Sequence, residues 1–285
     1  HLIMQYNISP ETLVEERHPK ASVDRILNRD FITNEDYACC ANGAMYRKDV
    51  RGFLPELMEK IYDERKVYKR KMLDAKQEYE ASPSDSLQKT ISRYNNFQMA
   101  RKIQLNSAYG AIGNQYFRYY KLANAEAITL SGQVSIRWIE GKVNSYLNSV
   151  LQTKGVDYVI ASDTDSIYLN LGPLVTKFFS NKSSDKAAIV SILDKICQEK
   201  LEPFIERSYQ ELATYVSAYD QKMQMKRENI ADRGIWTAKK RYILNVWNSE
   251  GVAYAEPKMK IMGLETARSS VPQFFRDRLK KAFRL

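Results

Sequence analysis

The chain has 285 residues, 44% of them apolar and 27% charged, so it can bury a core as one large domain or two modest ones. Its 44 lysines and arginines outnumber 34 aspartates and glutamates, and the net charge of +10 favours a polyanionic partner, either nucleic acid or an acidic membrane surface. Only two histidines occur, His1 and His18, which excludes most zinc sites and most catalysis by a histidine base.

The sequence contains no apolar run of about 18 residues and no charged-then-apolar leader, so it predicts neither a membrane-spanning helix nor a secretion signal. We therefore expect an intracellular location. Cys39, Cys40 and Cys197 lack the paired spacing of a metal site, and we interpret them as reduced packing residues. Carboxylates, lysines and arginines must then carry any catalysis.

Residues 1–50 predict a helix followed by two short strands. The strands are Asp36–Cys40 and Ala44–Arg47, and Asn42-Gly43 supplies the turn between them.

The next segment predicts two long helices. Pro55 fits a first helical turn, and Glu56–Tyr79 contains neither glycine nor proline. Ser82–Ser86 breaks that helix, and Leu87–Tyr109 predicts a second one that ends at Gly110. Because a short turn joins two helices of similar length, we expect an antiparallel hairpin.

The rest of the chain alternates helix and strand irregularly. Ala125–Leu151 predicts a third long helix, and Val156–Ala161 with Ile167–Leu169 predicts a hairpin around an acidic tip. The third helix has a broad apolar face formed by Ile128, Val134, Trp138, Val143 and Leu147. Helices are expected over about 186–218, and short strands around 236–247 and 253–262. This order favours an α+β fold over a doubly wound sheet.

The acidic tip is Ser162-Asp163-Thr164-Asp165-Ser166. In a strand, side chains two residues apart point to the same face, so we expect Asp163 and Asp165 to project together with Thr164 turned away. Two carboxylates facing one space suit a hard divalent cation such as Mg²⁺, and a two-metal site stabilises phosphoryl transfer. A solvated acidic turn is the competing interpretation, since turns favour aspartate.

A polar stripe runs along the second long helix, where Lys102, Asn106 and Tyr109 lie at i, i+4 and i+7. Arg65 and Lys69 form a basic pair on the first helix, and across an antiparallel hairpin we expect that pair to lie beside Lys102. Cations so placed suit a triphosphate. The alternative is a solvated, lysine-rich helix face.

The segment Lys239-Lys240-Arg241-Tyr242 places consecutive cations in a predicted strand. Such a strand suits contacts with the phosphates and groove edge of a duplex, and an edge strand protected by lysines explains it equally. Pro257–Gly263 alternates basic and apolar residues, so we expect Lys258 and Lys260 on a solvent face opposite an apolar row.

Taken together and in this order, the motifs closely resemble those of family B DNA polymerases, nearest to the replicative enzymes of T-even-type bacteriophages. Their joint occurrence is far more specific than any single motif. The resembling segments are Asn7–Thr12, the Lys-x-x-x-Asn-Ser-x-Tyr-Gly motif of Lys102–Gly110, Phe117–Tyr120, Ser162–Ser166, Lys239–Tyr242 and Lys260–Thr266.

The resemblance implies a polymerase palm, with an antiparallel β-sheet and packed helices, and a fingers domain formed by a helical hairpin. The implied boundaries are palm over 1–54, fingers over 55–114, palm over 115–263 and the start of a thumb over 264–285. The implied reaction is template-directed DNA synthesis, in which a primer 3′-hydroxyl attacks the α-phosphorus of a deoxynucleoside triphosphate and releases pyrophosphate.

The resemblance also implies ligands and partners. Two Mg²⁺ ions, for which Mn²⁺ substitutes, are the cofactors. Primer–template DNA, the deoxynucleoside triphosphate (dNTP) and a sliding clamp are the partners, and no membrane is involved. For a viral protein the location is the host cytoplasm.

The implied residue roles follow the motifs. Asp165 matches the carboxylate that binds both catalytic metals, and Asp163 matches its partner in the same motif. The nucleotide-binding positions are Arg65, Lys69 and Lys102 at the triphosphate, Asn106 on the same stripe, and Tyr109 with Gly110 under the nascent base pair. The duplex-binding positions are Lys239, Lys240, Arg241, Tyr242, Lys258 and Lys260, and Glu228 matches an acidic residue near the metal site. We further hypothesise that Lys102 protonates the departing pyrophosphate.

One palm motif of the family, Asp-x-x-Ser-Leu-Tyr-Pro, normally ends directly before the position of His1 and is missing. It supplies the second metal-binding aspartate and the tyrosine that excludes ribonucleotides, so we expect half a metal site. No exonuclease segment is present, the thumb only begins and the fingers look short. We expect a fragment of a longer reading frame, inactive or weak alone, that needs the missing segments or a second polymerase chain. The alternatives are a non-catalytic DNA-binding subunit of a split polymerase and another nucleotidyltransferase, such as a primase.

Overall fold

A computed structural model describes residues 1–33, 35–179 and 185–283. Its helices are α1 (Leu2–Gln5), α2 (Val23–Leu27), α3 (Phe53–Ala81), α4 (Asp85–Ile112), α5 (Leu122–Leu151), α6 (Gly172–Phe179), α7 (Lys186–Ile196), α8 (Glu202–Tyr215) and α9 (Gln273–Ala282). Its strands are β1 (Leu13–Arg17), β2 (Tyr37–Cys39), β3 (Ala44–Arg47), β4 (Val159–Asp163), β5 (Ser166–Leu169), β6 (Asn229–Ala238), β7 (Arg241–Ser249) and β8 (Val252–Met262). Residue 34, residues 180–184 and residues 284–285 of the predicted palm and thumb segments lie outside this description.

The strands pair antiparallel, which confirms the α+β prediction. Within the described residues they form three small sheets, with strand orders β1-β3-β2, β4-β5 and β6-β7-β8, rather than one continuous palm sheet. The second and third sheets meet through aromatic side chains: the Tyr168 ring lies 5.3 Å from Trp236 and 5.4 Å from Tyr242. Side-chain packing of this kind leaves the backbone ladders of the two sheets separate.

The N-terminal strand pair is confirmed, since β2 pairs with β3 from Tyr37 opposite Arg47 to Cys39 opposite Met45. The turn needs its glycine: Gly43 has φ +81°, and a Cβ there would lie 2.8 Å from the carbonyl oxygen of His18. Strand β1 was not predicted, because its two glutamates and arginine conceal the strand pattern in the sequence.

The predicted helical hairpin is also confirmed, as α3 and α4 pack against each other over their length. At the turn, the Ser84 side chain accepts a hydrogen bond from the Leu87 amide and caps α4. Across the hairpin, Arg101 Nε donates to Glu64 at 3.1 Å, and the Arg101 guanidinium lies 4.8 Å from the Tyr68 ring centroid.

The predicted end of α4 at Gly110 is wrong, because the helix continues to Ile112, which is fully buried. A glycine costs a helix only about 1 kcal/mol, and the burial of Ile112 offsets that cost. The helix ends at Gly113, whose amide bonds to the carbonyl of Tyr109.

Helix α5 runs through the main core. Val134, Trp138, Val143 and Leu147 are buried as predicted, while Ile128 is only partly buried. The Trp138 indole donates to the carbonyl of Ser208 on α8 at 2.9 Å. Helix α5 therefore joins the N-terminal sheet to the C-terminal helices.

The cysteines are free and buried, as predicted. Burial raises the pKa of the Cys39 thiol to about 12 and that of Cys197 to about 11. The thiols are therefore protonated and inert at neutral pH. The helices predicted over 186–218 are present as α7 and α8, with a π-helical turn, Cys197–Leu201, between them.

Candidate metal and nucleic-acid site

The acidic tip is a tight hairpin turn. Asp163 pairs with Ser166, so Thr164 and Asp165 form the turn itself, and Thr164 has φ +54°. The Asp165 amide donates to the carbonyl of Asp163 at 2.6 Å. Asp163 is half-buried and Asp165 is exposed.

This geometry corrects the strand-based expectation for Thr164. Asp165 is a turn residue, so the rule that alternate side chains share a face does not apply to it. The Thr164 hydroxyl is not turned away, since it donates to Asp163 Oδ1 at 3.0 Å. Asp163 and Asp165 are still both at the tip, because the tight turn places them there.

A basic turn lies against the acidic tip. Strand β6 ends at Ala238 and β7 begins at Arg241, so Lys239 and Lys240 form the connection, and Lys240 has φ +63°. The prediction of three cations inside a strand is therefore wrong, because exposed turn positions hydrate lysine side chains better than a sheet interior does. Lys240 Nζ lies 3.8 Å from Asp163 Oδ1.

Gly263 allows the chain after β8 to run close to the backbone of the basic turn. Its φ is +68°, and a Cβ there would lie 2.2 Å from the carbonyl oxygen of Lys240, so only glycine fits. Just beyond it, Glu265 pairs with Arg241 at 3.8 Å. The Lys260–Thr266 motif thus borders the basic turn.

The charges of the acidic tip act on two tyrosines. Burial raises the pKa of Tyr209 on α8, and the charge of Asp165 adds to the rise. Burial is also the main cause that raises the pKa of Tyr242, followed by its hydrogen bond with Tyr168 and by the charges of Tyr168, Glu228 and Asp163. Both phenols therefore stay protonated at neutral pH, and Glu228 acts on the same phenol as Asp163.

The lysines of β8 share one face of the sheet, as expected, but that face is only partly open to solvent. Lys258 lies opposite Val246 and Lys260 opposite Leu244, and directly opposed residues share a face of the sheet. Val246 and Leu244 are buried, and Lys258 is exposed whereas Lys260 is half-buried, so the alternation is confirmed but the clean split into a solvent face and an apolar face is not. Lys258 extends to Glu80 on α3, and its ammonium lies 4.1 Å from the Tyr254 ring centroid.

The predicted stripe of α4 is exposed. Lys102 and Asn106 make no side-chain hydrogen bond or ion pair within the described residues. The Tyr109 hydroxyl lies 3.1 Å from the hydroxyl of Thr129 on α5. Gly110 is exposed, and a Cβ there would meet nothing within 4 Å.

The two cations of α3 differ. Arg65 Nε is buried without an acceptor among the described residues. Lys69 Nζ pairs with Glu250 Oε1 at 2.6 Å. Across the hairpin, Arg101 meets Glu64, so Lys102 lies at about the level of Arg65. In the part of the chain that the structure describes, no hydrogen bond or ion pair joins Arg65, Lys69 or Lys102 to the acidic tip.

The acidic tip supplies some of the ligands that a hard cation needs. Carboxylate oxygens of Asp163 and Asp165 are the ligands that Mg²⁺ prefers. Within residues 1–33, 35–179 and 185–283, no cluster of three or more histidine, cysteine, aspartate or glutamate side chains has metal-binding geometry. The tip therefore offers two ligands in this chain.

Four side chains around the site were not singled out as functional in the sequence: Tyr168, Tyr209, Trp236 and Glu250. Tyr168 lies on β5, two residues after the tip. The packing of α8, β6 and the β7–β8 turn places Tyr209 within electrostatic reach of Asp165, Trp236 against Tyr168, and Glu250 against Lys69. Their aromatic or acidic character alone carries no signal, because such residues are common in cores and turns.

Among the residues that the structure describes, none of the helices combines the length and the apolarity needed to cross a bilayer.

Comparison with known proteins identifies the family. The model of DNA polymerase family B matches residues 1–285. The DNA-directed DNA polymerase of Escherichia phage RB69 is 37% identical over 332 residues, and that of Enterobacteria phage T4 is 34% identical over 332 residues. In each case the match covers 99% of this chain and 37% of the relative. A DNA polymerase of Thermococcus gorgonarius is 26% identical over 267 residues, 94% of this chain and 26% of the relative. The chain thus spans little more than a third of its phage relatives, and it belongs to DNA polymerase family B.

Proposed function

We propose that this chain contributes part of the polymerising site of a template-directed DNA polymerase, which adds deoxynucleotides to a primer 3′-hydroxyl. The observation that carries the proposal is the contact between the acidic tip and the basic turn, with Lys240 Nζ 3.8 Å from Asp163 Oδ1. Metal-binding carboxylates and phosphate-binding cations must be neighbours where the end of a primer meets a nucleotide. A solvated acidic turn would need no such partner.

The acidic tip would hold the divalent cations. Asp165 and Asp163 are the ligands in this chain, and Mg²⁺, or Mn²⁺ in its place, supplies neutralisation of charge on the reacting phosphate. Glu228, which acts on the Tyr242 phenol together with Asp163, adds negative potential near the same place.

The fingers hairpin would bind the triphosphate. Lys102 is exposed and unpaired within the described residues, so its ammonium is available to phosphate oxygens. Arg65, whose buried Nε has no acceptor among the described residues, lies at about the same level of the hairpin. Lys69 and Asn106 complete the set. Tyr109, bonded to Thr129, and Gly110, with open space at its Cα, offer a surface to the nascent base pair.

The basic turn and β8 would contact primer–template DNA. Lys239, Lys240, Arg241 and Tyr242 lie at or beside the turn, and Lys258 and Lys260 follow on β8. A net charge of +10 supports a nucleic-acid partner through attraction to the phosphates.

The domain boundaries stay as proposed from the sequence: palm over 1–54 and 115–263, fingers over 55–114, and a thumb beginning at 264. The further partners proposed are the exonuclease and thumb segments or a second polymerase chain, and a sliding clamp. Because relatives occur in Escherichia and Enterobacteria phages, we propose the host cytoplasm as the location.

Primer extension tests the proposal. The chain is assayed alone and with a segment that supplies the Asp-x-x-Ser-Leu-Tyr-Pro motif, using deoxy- and ribonucleotides in Mg²⁺ or Mn²⁺. We expect extension with deoxynucleotides in the complemented reaction and its loss, by at least about a hundredfold, in Asp165→Ala, since a metal ligand is removed. Asp74→Ala, an exposed change on α3, is the control and should retain activity. Extension that survives Asp165→Ala would contradict the metal assignment.

The second candidate is a non-catalytic DNA-binding subunit of a split polymerase. The position of Lys240 favours it, because its ammonium lies 3.8 Å from Asp163 Oδ1, beside the carboxylate that a metal ion would need. In that case the complemented reaction fails to extend the primer, whereas duplex binding by the chain persists and is unaffected by Asp165→Ala.

A further inference from the structure

Lys69 makes an ion pair that its proposed role in triphosphate binding does not explain. Its Nζ lies 2.6 Å from Glu250 Oε1, with 34% of the lysine side chain and 27% of the glutamate side chain exposed. The pair joins α3 of the fingers hairpin to the turn between β7 and β8, 181 residues away. A pair so close and so shielded is stronger than a fully exposed one.

The backbone holds Glu250 in place. Its φ is +52°, and its amide donates to the carbonyl of Glu228 at 2.6 Å. The next residue, Gly251, has φ +92°, and its amide donates to the side chain of Asn248, which is buried and also accepts from Arg227 at 2.7 Å. The carboxylate of Glu250 is therefore presented from a rigid turn.

A second ion pair fastens the same helix to the same sheet. Glu80 on α3 pairs with Lys258 on β8. Lys69 and Glu80 are eleven residues apart, about three helical turns or 16 Å, so they lie on one face of α3. That face rests along β8, where α3 and β8 are in contact.

From these contacts we propose that Glu250 is a positioning residue which competes with the triphosphate for Lys69. It holds α3 against the β7–β8 turn until a nucleotide displaces it. The inference rests on the proposed nucleotide role of Lys69. A triphosphate carries several negative charges and takes Lys69 from a single carboxylate, after which the Lys258–Glu80 pair still joins α3 to β8. The competition weakens nucleotide binding, and it links binding to release of the hairpin.

The test follows the reactivity of the Lys69 amine in the full chain. An amine-acetylating reagent is applied with and without inorganic tripolyphosphate, and acetylation of Lys69 is measured by mass spectrometry. In Glu250→Gln, Lys69 should react about three to ten times faster, and tripolyphosphate should protect it at about three to ten times lower concentration. Glu256→Gln, an exposed change on β8, and the reactivity of Lys76 serve as controls. Circular dichroism checks that each variant is folded.

The outcomes separate the two claims. An unchanged acetylation rate in a folded Glu250→Gln variant overturns the positioning role. If Lys69 is acetylated faster in Glu250→Gln but tripolyphosphate protects Lys69 in neither protein, Lys69 does not bind phosphate. The proposed competition then fails together with the proposed nucleotide-binding role of Lys69. Protection at the same concentration in both proteins leaves Lys69 as a phosphate ligand but refutes competition by Glu250.

Discussion

At the residue scale, the proposed roles divide by what each side chain already contacts. Asp163 is bonded to Thr164 and lies near Lys240, whereas Asp165 is exposed. Among the fingers cations, Lys69 is paired, while Lys102 has no partner within the described residues. The unpaired ammonium of Lys102 is available both to bind a phosphate and to donate a proton. A test of Lys102 must therefore distinguish phosphate binding from proton donation.

We predict that Lys102→Arg slows the single-turnover rate of nucleotide addition by about a hundredfold or more, while dNTP affinity falls much less. Arginine keeps the charge, but its pKa lies well above that of lysine, so it is a poor general acid. Rapid-quench kinetics on the complemented enzyme gives the rate and the affinity separately. Lys76→Arg, on an exposed position of α3, is the matched control. If the rate is retained and only the affinity changes, Lys102 acts through its charge alone.

At the element scale, α4 shows how a local signal yields to packing. Gly110 predicted a helix end, yet the helix continues to the buried Ile112. By contrast, the long helices α3 and α5 follow the sequence closely, because α3 is free of helix-breaking residues from Glu56 to Tyr79 and the apolar face of α5 extends over many turns. Strand β1 was not predicted, and the basic turn was predicted as part of a strand. Both are short polar segments whose conformation depends on a partner strand.

We predict that Gly110→Ala stabilises the chain by about 0.5–1 kcal/mol and slows nucleotide addition. Alanine favours the helix, and the free chain has room for the added methyl group, whereas the proposed nascent base pair would occupy that space. Urea unfolding and primer extension measure the two effects. Gly141→Ala in α5 is the matched control, since its Cα also faces open space, and it should stabilise the chain without loss of activity. Equal activity of the two variants would remove Gly110 from the nucleotide site.

At the scale of the whole molecule, the positive charge should act on duplex DNA in proportion to the phosphates contacted. We predict that replacing Lys239 and Lys240 with alanine weakens duplex binding for every sequence and lowers the slope of log affinity against log salt by about two. Fluorescence anisotropy at several salt concentrations gives the slope. Alanine at Lys195 and Lys200, both exposed, removes the same charge elsewhere. A slope that stays the same would make the basic turn a structural feature without contact to DNA.

The phage relatives match this chain over 332 residues, more than its 285, so they contain internal residues without a counterpart here. The α3–α4 hairpin nevertheless closes on itself, because Arg101 pairs with Glu64 and stacks on Tyr68. The hairpin therefore keeps Arg65 and Lys102 at about the same height along its axis, where both are proposed to bind a triphosphate.

By itself, the sequence determined the family, the long helices and the identity of the acidic tip, because these depend on residue order and on periodicity over many residues. Only the tertiary structure decided what surrounds the tip. Lys240 approaches Asp163 from an element far apart in the chain, and Glu250 reaches Lys69 across 181 residues. Such contacts follow from the packing of separate elements against one another, and no local pattern of residues encodes them.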